Sequence, residues 1–229
     1  MNKTTVLIKA SFIQMRIYLW VILGAIAVSV ISNTIVSLAL GEGESSNVSY
    51  ANFLSIFLLF AGSVLPSLFF KRVINLGASR KEYYLGLLSI YMVLSAVFAF
   101  INVIWLQVED RVLGQLYTEN LNILTVFHWD DFSIPGTFLY QFAVYLLLLS
   151  LLNLLFSGLQ QVAGWVVWVI FIAAIPIFTS IPSLREILAD GLSALLLNDS
   201  LLQGFTISII LSILLFAGGW WFTVRRPIA

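Results

Sequence analysis

The chain has 229 residues, of which 61% are hydrophobic and 10% charged, with a mean hydropathy of +1.03; this leaves too few polar side chains to cover a water-soluble globule. Eleven basic and eleven acidic residues give zero net charge, so no bulk sign points to nucleic acid, and lipid is the expected solvent. The absence of cysteine removes disulfides, thiol catalysis and cysteine-ligated metal.

The first stretch, MNKTTVLIKASFIQMR, carries Lys9 and Arg16 and has no small-residue cleavage signal, so it is expected to be retained. Val6, Ile13 and Ile17 fall near one helical face and Lys9 and Arg16 near the other, as in a helix lying in the inner membrane interface. A crossing needs about 20 apolar residues, and charge-free runs place spans at 17–40, 51–70 and 83–106. Residues 132–184 form a charge-free run of 53 residues, too long for one crossing at about 1.5 Å per residue. The break SGLQQ at 157–161 divides it into spans at 137–156 and 162–181, and a sixth span follows at 202–224. No segment shows the sustained alternation of a barrel strand. The expected fold is an all-α integral membrane protein, one transmembrane domain over residues 1–229.

Lys3, Lys9, Arg16, Lys71, Arg72, Arg80, Lys81, Arg225 and Arg226 fall on one side of these spans, and Arg111 and Arg185 on the other. The positive-inside rule therefore puts the first side in the cytoplasm, with both termini inside and the chain multi-pass in the plasma membrane. Lys71, Arg72, Arg80 and Lys81 at mid-bilayer would cost about 10 kcal/mol in total, so residues 71–82 form a cytoplasmic loop. Its interior is apolar: Val73, Ile74 and Leu76 would give a helix of one or two turns a face for a partner. Asn75 and Ala78 complete that stretch, and Gly77 supplies a left-handed stop. Ser79 with Glu82 then forms a capping box that opens the next span. The basic side chains would hold this connector at the anionic lipid surface, each contributing about 1 kcal/mol.

This order of parts resembles the permease subunits of type-2 ATP-binding-cassette exporters: an amphipathic start, two spans, a basic loop reading INLGASRKEYYLG, then four more spans. Gly77, Ser79, Arg80, Lys81, Glu82 and Gly86 carry the local part of the likeness, and the order of segments extends it over nearly the whole chain. The resemblance implies that residues 71–82 form a coupling helix docked in a groove on an ATP-binding subunit, with 73–79 as the contact surface. It also implies a second permease, identical or homologous, and an amphiphilic cargo such as a peptide, toxin, antibiotic or lipid-like compound leaving the cell. No GxxxxGK[ST] phosphate loop occurs, so ATP and Mg belong to the partner subunit; this chain is expected to bind no cofactor and to catalyse no reaction.

On the outer side, residues 107–136 are acidic through Glu109, Asp110, Glu119, Asp130 and Asp131, and VLGQLYTENLNILTVF could form an interfacial helix. The later segment at 182–199 opens with Pro182 and a second capping box, Ser183 with Glu186. It resembles outward re-entrant helices that plug the exit side with protein around them. No span holds Asp, Glu, Lys, Arg or His, which argues against an ion-coupled carrier. Ser95, Asn102, Ser150 and Asn153 could still line a sodium site or, more simply, bond between helices. Asn102, Asn153, Trp165 and Trp168 are the candidate substrate-path residues. His128 beside Asp130 and Asp131 makes a poor ligand set, so no metal or catalytic residue is assigned. Trp129, Trp220 and Trp221 fall where an interfacial aromatic belt is expected. A secondary ion-coupled transporter and a non-transporting membrane immunity or scaffold protein remain the alternatives.

Overall fold

In hydrocarbon no water satisfies backbone N–H and C=O groups, so long apolar runs close their bonds internally as helices. The computed structural model describes residues 13, 15–29, 31–32, 46–109, 111 and 119–227. Five helices in it are long and apolar enough to cross a membrane: Tyr50–Asn75, Arg80–Val108, Ile134–Ser157, Val162–Ser180 and Leu201–Arg225. They coincide with the second to sixth expected spans. Of the first expected span the described residues show the apolar helix α1 (Met15–Ser29); residue 30 and residues 33–40 lie outside the described residues, as does the expected interfacial helix before Ile13.

Helix α2 (Tyr50–Val64) passes through a π-helical turn, Leu65–Phe69, into α3 (Phe70–Asn75). Pro66 explains the turn, because it lacks the N–H that an α-helix would use there and its ring crowds the preceding turn. Within the turn the Ser67 hydroxyl donates to the Ser63 carbonyl at 2.5 Å. Helix α4 (Arg80–Val108) returns, and α6 (Ile134–Ser157), α7 (Val162–Ser180) and α9 (Leu201–Arg225) follow. Helices α1, α2, α4, α6 and α9 share one core containing Met15, Ile22, Phe57, Leu58, Tyr91, Phe98 and Leu149. Phe57 stacks on Phe98 at 5.3 Å, joining α2 to α4.

Apolar area cannot drive helices together in lipid, so close approach depends on small residues. Helix α9 supplies them at Gly204, Ser208, Ser212 and Gly219, all buried. A Cβ at Gly204 would overlap the Tyr140 ring and one at Gly219 the Asn153 amide, so α9 lies directly on α6. Helix α7 differs: it buries only Gly164. Gly164 packs so tightly on the Gly158 carbonyl in the SGLQQ turn that no side chain fits between them.

At the end opposite the basic loop, β1 (Ser46–Val48) and β2 (Glu119–Leu121) pair in parallel over three residues. The one-turn helix α5 (Ile123–Val126) follows. The expected interfacial helix over VLGQLYTENLNILTVF is therefore not continuous. Its residues 112–118 lie outside the described residues, and Asn122 restarts the chain as an N-cap, its Oδ1 accepting from the Leu124 N–H at 3.0 Å. Helix α8 (Pro182–Leu196) also departs from expectation. Ile181 is its N-cap with no side-chain bond, because Pro182 takes the first helical position and moves Ser183 inside, so the Ser183 and Glu186 box does not form. No residue of α8 is buried, so this chain does not surround it as a plug.

Candidate functional site

The connector expected at residues 71–82 keeps its local chemistry. Gly77 has φ +86°, in the left-handed region, and the Ser79 hydroxyl accepts from the Glu82 N–H at 3.2 Å. Glu82 Oε2 accepts in return from the Ser79 N–H at 2.8 Å, so the box closes both ways. The short helix is not a separate element, however. It is α3, the continuation of α2 beyond the π turn, and the 26-residue helix Tyr50–Asn75 is longer than a hydrocarbon core of about 30 Å requires. Its last turn therefore projects.

The expected docking face narrows in the same way. Val73 is 1% exposed and packs inward beside Phe70, while Ile74 and Ala78 lie partly against the core. Leu76 alone stands out, at 82% exposure, among the exposed Lys71, Arg72, Asn75, Gly77, Ser79 and Lys81. A helix turn that leans on its own bundle turns inward every third or fourth residue, so Val73 belongs to the inner stripe.

Sequence alone gave no sign of what braces this connector. Arg226, just past α9, is 2% exposed. Its guanidinium donates to the carbonyls of Pro66 and Ser67, the latter at 2.8 Å, and to Gln160 Oε1 at 3.0 Å. It also lies 4.5 Å over the Phe70 ring. Arg80 donates to the Arg226 carbonyl at 2.9 Å, and Tyr83 donates to Leu65 O at 3.0 Å. Three consecutive carbonyls of the π turn, those of Leu65, Pro66 and Ser67, thus accept from side chains on α4 or after α9. Burial lowers the Arg226 pKa, and the neighbouring Tyr83 opposes that shift. Gln161 donates to Phe222 O at 2.7 Å and adds the α6–α7 turn to the assembly. The planar guanidinium spreads five donors over three nitrogens in a fixed fork, whereas a lysine offers three from a single nitrogen.

At the other end sits an unexpected buried acid. Glu109 is 2% exposed; it accepts from Trp105 Nε1 at 2.7 Å and Asn122 Nδ2 at 2.9 Å. Asn122 also donates to Ser49 Oγ at 3.1 Å. Among the described residues, both oxygens of this carboxylate accept only from neutral donors. Trp129 does not join an interfacial belt: it is buried, stacks on Phe127, and donates to Leu196 O at 2.7 Å. Tyr140 donates to Leu195 O at 2.9 Å, so α8 is tied down at its C-terminal end. Trp221 is exposed with Arg225 4.1 Å over its ring, as a belt residue would be.

The four candidate path residues do not come together. Asn102 and Asn153 are buried inside the bundle on α4 and α6. Trp165 is exposed on α7, and Trp168 donates back to Leu155 O at 3.0 Å. Of the expected interhelical bonds Asn153 makes one, donating to the Tyr84 hydroxyl at 3.2 Å, whereas Ser150 bonds within its own helix. His128 Nδ1 lies 3.9 Å from Asp131 Oδ2, and both side chains are largely exposed. The likeness to exporter permeases rests on the order of segments and on the residues from 77 to 86, because no protein family, no characterised protein and no solved structure matches the chain.

Proposed function

We propose that this chain is the membrane-spanning permease subunit of an ATP-driven exporter of the type-2 ATP-binding-cassette class. A separate subunit would carry ATP and Mg, and a second permease would complete the path for an amphiphilic cargo. One observation carries this reading: residues 71–82 form a stiff basic projection between two membrane helices. It is stopped by Gly77, capped by Ser79 and Glu82, and tipped by an exposed Leu76. A loop that only anchored topology would need charge but neither the reciprocal cap nor an apolar tip. Force applied at Leu76 passes along α3 into the π turn and along α4. Because Arg226 and Tyr83 lock these parts together, α2, α4 and α9 respond as a unit, by hinge and shear motion.

Purification from native membranes should bring down a soluble subunit carrying a phosphate loop. Leu76→Glu should remove that subunit, or abolish cargo-stimulated ATP hydrolysis, while the chain still inserts. Absence of any such subunit, or full stimulation in the variant, overturns the proposal. Val73→Glu is the wrong test, because Val73 is core.

A proton-coupled carrier is the second reading, favoured by Glu109, a buried carboxylate held only by neutral donors among the described residues. It predicts transport that a proton ionophore dissipates without ATP and that Glu109→Gln abolishes.

A further inference from the structure

Helix α4 turns Tyr84, Tyr91, Ser95 and Asn102 inward along one side. Near its outer third this stripe meets α2 and α6. The Tyr145 hydroxyl shares a hydrogen bond with Ser55 Oγ at 2.7 Å and accepts from Gln141 Nε2 at 2.8 Å, and the Asn102 amide adjoins the same hydroxyl. Among the described residues, three polar atoms at this junction have no hydrogen-bond partner: Asn102 Nδ2, Asn102 Oδ1 and Gln141 Oε1. Asn102 is 1% exposed and Gln141 is fully buried.

Turning the Gln141 amide does not remove the problem, since it only exchanges an orphan acceptor for an orphan donor. Inside a spanning bundle bulk water cannot supply the missing bonds, and a bare buried amide atom loses more than one net hydrogen bond contributes. These amide atoms have a definite chemistry: together they call for both donors and acceptors and offer no charge. A metal ion would satisfy the oxygens but face the amide N–H groups without a counter-carboxylate. Among the described residues, the acid nearest in sequence is Glu109, just past α4, and it already holds Trp105 and Asn122. Water both donates and accepts, and bound water is the usual partner of such groups in protein interiors.

We propose that the junction of Ser55, Asn102, Gln141 and Tyr145 is an internal hydration site, occupied by water that bridges the Asn102 and Gln141 amides. The site lies between α6 and the two helices that flank the basic connector. The hydration itself does not depend on the exporter reading.

The test is hydroxyl-radical labelling by brief X-ray irradiation of the full chain in lipid nanodiscs, read residue by residue by mass spectrometry. Radicals form where water is held, so Tyr145 should be oxidised despite its burial, and faster than Tyr83, whose hydroxyl is satisfied by Leu65 O. In a variant carrying Asn102→Leu and Gln141→Leu, Tyr145 labelling should fall to the Tyr83 rate while exposed Trp221 keeps its own. Unlabelled Tyr145 in the natural chain, or undiminished labelling in the double variant, overturns the proposal. Exchange of potassium for sodium chloride should change nothing; a sodium-dependent loss of Tyr145 labelling would make this a cation site and overturn it as well. If the double variant fails to fold, the natural chain's Tyr145 to Tyr83 ratio and the salt exchange decide.

Discussion

Arg226 keeps a full charge where the chain leaves almost no water, and it does so by facing carbonyls rather than a carboxylate. Carbonyl dipoles near a π turn suit a cation, because their oxygens converge while part of the ladder is disrupted. Replacement with Gln should leave the Pro66 and Ser67 carbonyls short of donors and cost about 2–4 kcal/mol. Lysine should recover part of that loss, since its ammonium keeps the charge but not the fork. Unfolding of each variant in the same detergent measures both values, and a Lys variant as stable as the natural chain would show that the fork does not matter. None of this was legible in the sequence, where Arg226 is one of two terminal arginines and its partner Pro66 is 160 residues away. Glu109 was hidden for the same reason: an acid in an acidic segment looks solvated until Trp105, Asn122 and Ser49 are brought around it.

At the scale of elements, local chemistry fixes where the connector's helices stop and start. Gly77 and the pair Ser79 with Glu82 announce a helix stop and a helix start within six residues, and both are present. The π turn was signalled only by Pro66 inside an otherwise uniform apolar run. The second capping box failed because a proline beside it took the first helical position. Ser79→Ala should cost about 1 kcal/mol, and Gly77→Ala about 1–2 kcal/mol through its left-handed backbone. Hydrogen exchange should place the first loss at the start of α4, as faster exchange at residues 80–83, whereas the π turn should stay protected through Arg226 and Tyr83. Exchange that accelerates across the π turn in both variants would mean that cap and brace act as one unit.

For the molecule as a whole, the helices divide by how they are held. Helices α6 and α9 approach through Gly204, Ser208, Ser212 and Gly219, while α7 touches α6 only near its start, through the Gly158 and Gly164 contact and the Trp168 bond to Leu155 O, and turns nearly all its surface outward. The second to sixth spans are legible because length and apolarity set them; which helix sits beside which is not, because in lipid every face of α7 looks as apolar as every face of α6. The division predicts opposite responses to similar changes. Ser208→Leu, at the buried seam, should force α9 from α6 and cost about 3 kcal/mol or more, with loss of folded protein. Ile170→Ala on α7 removes more apolar atoms but should leave unfolding of the single chain within about 0.5 kcal/mol, because lipid replaces what it touched. Native mass spectrometry of the same two variants extends the comparison to assembly: a second permease seated on α7 would be lost in Ile170→Ala with the single chain still folded, whereas a lipid-facing α7 predicts an unchanged stoichiometry.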